Sequence, residues 1–171
     1  MSDHKFVKTV CAALNKEISA RKAAVFHFDR VIAVPIHSKA NSYFIPKYVS
    51  VLTQDTVCIR KADGKFNIGL SIHSTLDMPW RRDGNATAYV RALASELVAD
   101  TVEEVIEAIR TNLTNHPKFI KDDKTLANSK VVGRSGIKKR RNREGARETV
   151  AFNHSFEESL EFVKKIISNL E

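Results

Sequence analysis

The sequence predicts an α+β protein, a mainly antiparallel sheet packed by an N-terminal helix, a long central helix and a C-terminal helix. Three observations carry this: apolar residues at helical spacing near both chain ends, strand-like runs joined by an Asp-Gly turn from residue 24 to 75, and one extended helical stripe from 86 to 113. With 171 residues and 43% apolar content, one hydrophobic core is expected, a single domain over residues 1–171.

Taken in order, Asp3 to Arg21 reads as a helix, because Phe6, Val10, Leu14 and Ile18 recur every four residues beside Val7 and Cys11. Ala24 to His37 is rich in β-branched and aromatic residues and reads as one strand or two short ones. Ser38 to Asn41 is a loop, and Tyr48–Leu52 and Thr56–Lys61 are two short strands separated by Thr53, Gln54 and Asp55. Asp63-Gly64 then sets a hairpin turn, since both central positions of such a turn need φ > 0. From Phe66 to Thr75 the residues alternate, with Phe66, Ile68, Leu70 and Ile72 on a buried face and Asn67, Gly69, Ser71 and His73 on an open one.

Asp77 to Gly84 reads as a turn-rich connection, and Asn85 as the cap of a long helix over Ala86–Leu113. In that helix Val90, Leu93, Leu97, Val98, Val102, Val105, Ile106 and Ile109 form the core stripe, and Glu96, Asp100, Glu103, Glu104 and Glu107 form the wet face. About 28 residues is long for a helix in a small domain, and a break near Asp100-Thr101 is one way to shorten it. Lys118 to Arg147 lacks a stable apolar period and reads as a flexible basic excursion. Thr149–Asn153 is a last short strand. Ser155 and Glu158 then make a capping box for a terminal helix carrying Phe156, Leu160, Phe162, Val163, Ile166, Ile167 and Leu170.

The charge is concentrated. Residues 118–147 hold eleven basic and three acidic side chains, an excess of eight that equals the net charge of the whole chain, +8. Seventeen residues of each sign remain elsewhere, so the rest of the molecule is formally neutral. A local cationic run of this kind marks a polyanion partner. Lys130, Arg134, Lys138, Lys139, Arg140, Arg141, Arg143 and Arg147 are the candidate phosphate contacts, with Arg140, Arg141 and Arg143 as the main anchors. The plainer readings are a solubilising loop or a targeting signal of the same composition. Trp80, Arg81 and Arg82 form a second candidate contact, a ring for base stacking beside two guanidiniums. The plainer reading has Trp80 covering a sheet edge.

Within the excursion, Val131-Val132-Gly133-Arg134-Ser135-Gly136-Ile137 is similar to the Gly-x-x-Gly loop of KH domains. That resemblance implies a backbone that approaches a nucleic-acid strand closely, with Glu144-Gly145-Ala146-Arg147 ending the helix after the loop. His73-Ser74-Thr75 has the His-x-Thr form of two-histidine phosphoesterases, with His154 as the second imidazole. Cys58 with His73 is a further pairing, set against a buried inert thiol.

Two cysteines make no disulfide framework, and neither a phosphate-cradling nor a dinucleotide glycine motif occurs. No metal, cofactor or membrane association is expected, and an intracellular setting, cytoplasmic or nucleoid/nuclear, suits the free thiols. The sequence thus points to a non-enzymatic nucleic-acid-binding protein, RNA before DNA. A subunit of a ribonucleoprotein or virus-like assembly with a basic arm and protein partners is the alternative, and a two-histidine phosphoesterase the third reading.

Overall fold

A computed structural model describes residues 4–36, 47–72, 81–114, 118–120, 125–127 and 129–171. The elements run α1 (His4–Ser19), β1 (Ala23–Ile36), β2 (Lys47–Ala62), β3 (Lys65–Ser71), α2 (Arg81–Leu93), β4 (Leu97–Ala99), α3 (Val102–Thr114), β5 (Lys118–Ile120), β6 (Thr125–Ala127), β7 (Ser129–Arg141), β8 (Arg147–Ser155) and α4 (Phe156–Ile167). Six strands form an antiparallel sheet in the order β4-β3-β2-β1-β7-β8, and β5 pairs with β6 separately. The α+β class therefore stands.

Period-2 alternation divides the central strands between two cores. Phe26 and Phe28 of β1, Val57 and Ile59 of β2 and Phe66 and Ile68 of β3 pack with Val105 and Ile109 of α3 and Leu160, Val163 and Ile167 of α4. Their neighbours in sequence point the other way: Ala23 and Cys58 pack with Leu14 of α1 and with Ala88, Tyr89 and Ala92 of α2. Helices thus cover both faces of the sheet. The face of β3 expected to be open is closed by α2, which lies so near that a Cβ on Gly69 would stand 1.8 Å from the Ala88 carbonyl oxygen and 2.5 Å from the Ala92 nitrogen. Small residues on both sides make that approach possible.

Several boundaries differ from expectation, each for a physical reason. Thr53, Gln54 and Asp55 do not interrupt β2. Asp55 meets Arg30 at 2.6 Å and Gln54 meets Asp29 at 3.1 Å, so these two side chains are satisfied inside the sheet, whereas the buried Thr53 hydroxyl has no partner among the described residues. The helix expected to start after Asn85 starts at Arg81. Gly84 lies against the Thr56 hydroxyl of β2, where a Cβ would approach to 2.7 Å, so this glycine serves close helix–sheet packing and not a turn.

The expected long central helix is two helices with an edge strand between them. α2 ends near Leu93, Ser95 takes φ 54, and Leu97–Ala99 pairs with Phe66–Ile68 of β3. α3 then restarts with Thr101, whose hydroxyl accepts a hydrogen bond from the Glu104 nitrogen at 3.2 Å. At the other end the Ser155 capping box is present as expected.

Within the basic excursion, residues 129–141 are regular. Residues 129–141 and 147–155 form the hairpin β7–β8, with nine cross-strand pairs from Gly133↔Ser155 to Arg141↔Arg147. Asn142 closes the turn: its side-chain oxygen accepts from the Glu144 and Ala146 nitrogens, and Gly145 takes φ 80.

Candidate nucleic-acid interface

β7 joins the sheet only over Ser129–Gly133, opposite Ile32–Asp29 of β1. Val132 is an extra residue in that ladder, a β-bulge, and Gly133 beside it takes φ 136. A Cβ on Gly133 would stand 1.9 Å from the His154 carbonyl oxygen, so both space and backbone conformation demand glycine. Beyond the bulge, Arg134 to Arg141 pairs with β8 alone, as a two-stranded ribbon roughly 26 Å long at about 3.3 Å per residue.

The ribbon sorts the predicted cations by parity. Arg134, Lys138 and Arg140 share the face turned toward α4. Arg134 lies over Phe162 at 4.5 Å and over Phe26 at 5.7 Å, and Lys138 lies over Phe152 at 5.1 Å and Phe162 at 5.6 Å. Arg140 donates to Glu148 at 3.1 Å. Lys139, Arg141 and Arg147 share the opposite face, Lys130 lies on that side nearer the sheet, and Arg143 sits in the turn. Of these eight cations, Arg140 alone has a carboxylate partner among the described residues.

A row of hydrogen bonds ties the Lys139 face to the start of α2. Arg81 donates to Gln54 at 3.1 Å, Gln54 donates to Asp29 at 3.1 Å, and Ser135 donates to the second Asp29 oxygen at 2.5 Å. Arg81 is thereby placed on the same sheet face as the ribbon's Lys139 side. Arg82 is exposed, its carbonyl accepting from the Cys11 thiol at 3.5 Å. Trp80 lies outside the described residues.

His27 stands beside this row, 2.8 Å from the Asn85 side-chain oxygen. Burial holds its pKa below the ordinary 6.5, and the Arg81 and Arg134 cations push the same way, against the Asn85 hydrogen bond and Asp29. Asp29, Gln54, Ser135, His27 and Asn85 were not among the expected site residues. Their signal was an Asp29-Arg30 pair inside an otherwise apolar strand, which requires buried partners. Arg30 finds them in Asp55, the Ser129 hydroxyl at 2.9 Å and the Leu113 carbonyl at the end of α3.

The KH resemblance does not carry over to the structure. Gly133 and Gly136 are both paired inside a β-hairpin, Gly136 under the Phe152 ring, and Glu144–Arg147 form a turn and the start of β8. His154 lies 3.3 Å from Glu158, while His73 lies outside the described residues. Cys58 is fully buried, and burial pushes its thiol up to about 12, which keeps it protonated and unreactive. Among the described residues no group of His, Cys, Asp and Glu has the arrangement of a metal site, and no helix is long and apolar enough to cross a membrane. Comparison with protein-family models, curated proteins and solved structures found no match.

Proposed function

We propose that this protein binds nucleic acid by laying the β7–β8 ribbon into a duplex groove. The observation that supports this is the set of cations on a regular two-stranded ribbon, seven of the eight without a carboxylate partner among the described residues. A B-form major groove, about 12 Å wide, admits a two-stranded β-ribbon, whereas the A-form major groove is deep and narrow. The paired geometry therefore favours duplex DNA over the single-stranded RNA that a flexible loop would have suited. Lys139, Arg141, Arg147 and Lys130 would meet phosphates on one side, with Arg143 at the tip and Lys138 on the other flank. Arg81 extends the same surface back to the sheet.

Affinity for duplex DNA, single-stranded DNA and duplex RNA, each measured over a salt series, tests the proposal. Duplex DNA should bind tightest, with log K falling by about 0.9 per contacted phosphate for each tenfold rise in salt. A flat salt dependence would sink it.

One observation keeps the assembly reading as a second proposal. Ile137 is 69% exposed in mid-ribbon on the Lys139 face, which suits an arm that docks on a neighbouring subunit. Light scattering in the absence of nucleic acid decides it: a monomer removes this reading, and a defined oligomer lost on Ile137→Ser supports it.

A further inference from the structure

We infer that the free edge of β1, from Ala23 to Phe26, is a docking groove for an extended peptide that carries a carboxylate. β1 pairs with β2 along its whole length but with β7 only from Asp29 onward. The bulge at Val132-Gly133 turns β7 away. Among the described residues no strand pairs with the other side of Ala23–Phe28, and a gap runs along Ala23 to Phe26, about 13 Å of that edge.

The gap is a cavity of about 460 Å³ between the end of α1 and the outer face of α4. Its walls are Ile18 on one side and Phe162 and Ile166 on the other, with Val25 and Phe26 along the strand. Ile18 is 40% exposed and Ile166 36%, large apolar side chains left uncovered beside the strand edge. A strand edge with apolar walls on both sides supplies what β-augmentation requires: main-chain hydrogen bonds for affinity, and pockets for alternate side chains.

Arg134 identifies the charge of the occupant. It lines the cavity between the Phe26 and Phe162 rings, it makes no ion pair or hydrogen bond among the described residues, and its Nε is buried without a partner. The side chain is half-buried, and burial lowers its pKa against the opposing pull of Asp29. The other cation of the lining, Arg21, is already 3.8 Å from Glu171. A peptide carboxylate, from an acidic side chain or a free C-terminus, would complete Arg134 as its backbone pairs with β1.

The test is selection of the full-length chain against a displayed library of random ten-residue peptides, followed by synthetic fluorescein-labelled peptides in polarisation assays. Enriched sequences should alternate β-branched residues and place one carboxylate at a fixed position. Amide resonances of Ala23–Phe26 should shift on binding. N-methylating alternate peptide nitrogens should weaken binding at least tenfold. Arg134→Met should weaken it at least tenfold while the thermal midpoint stays the same or rises, which separates lost recognition from lost folding. The triple variant Lys139→Gln, Arg141→Gln, Arg147→Gln should bind the peptide unchanged, so the groove and the proposed ribbon function can fail separately. Absence of enrichment, binding that survives N-methylation or Arg134→Met, or binding lost in the triple variant would overturn the inference. A dimer that dissociates on Val25→Lys would also overturn it, by placing a second copy in the groove.

Discussion

Gly69 shows how one side chain's absence positions an entire layer. With the α2 backbone 1.8 Å from where its Cβ would stand, Gly69→Ala cannot be absorbed by a rotamer change and must push α2 off the sheet. A loss of about 3 kcal/mol, the upper end of overpacking effects, is expected in urea denaturation. Arg30 is the polar counterpart, since its side chain and that of Asp55 are both completely buried. Arg30→Met would leave a carboxylate without its main cation and cost about 3–5 kcal/mol by the same measurement, with Asp55→Leu in the same chain recovering part of the loss. His27 responds to pH. Because its folded pKa lies below 6.5, the unfolded chain binds more protons below that pH, and stability rises with pH through the window. Its contribution is complete above pH 6.5 and is lost as pH falls toward the lowered folded value. Denaturant midpoints measured from pH 7 downward should therefore fall less steeply in His27→Asn than in the parent chain.

Among the elements, the bulge holding β7 to β1 has the most consequence for function, because it aims the ribbon away from the sheet and opens the gap beside β1. Gly133→Ala would need an alanine at φ 136 with its methyl in the His154 carbonyl. It should cost about 3 kcal/mol, read as a drop in thermal midpoint, with loss of amide protection in β7 before the central strands. The same element explains what the sequence could and could not convey. The β2–β3 hairpin and α4 were legible through Phe66, Ile68 and Leu70 and through Leu160, Val163 and Ile167, and α1 was legible as a helix although, of its expected stripe, Leu14 is buried while Phe6 and Ile18 are exposed and Val7 beside it is buried instead. The ribbon was not, because a two-stranded element with charge on both faces lacks the apolar alternation that marks a strand. The split between α2 and α3 was hidden differently. Leu97 and Val98 continue the helical stripe in sequence while belonging to an edge strand, although Thr101 and Glu104 did carry a helix-start signal. The cations of the candidate interface were legible by charge alone, but their partition onto two faces needed the register.

For the molecule as a whole, the ribbon cations on the Lys139 face contribute little to the stability of the fold. Arg141 stands directly opposite Arg147, a like-charge pair that opposes the hairpin it belongs to. None of Lys139, Arg141 and Arg147 contacts either core, and none has an ion-pair partner among the described residues. Folding stability and polyanion binding should therefore separate in one variant. Replacing these three residues with Gln should change unfolding free energy by no more than about 0.5 kcal/mol, and relief of the Arg141–Arg147 repulsion sets the direction toward greater stability. If all three meet phosphates, the same variant should lower the slope of log K against log salt for duplex DNA by about 2.7, three contacts at about 0.9 each. A slope that stays put would leave the cations as a solubilising surface. A large loss of stability would show that the ribbon carries part of the fold, because in either case the surplus charge would have a role other than meeting a polyanion.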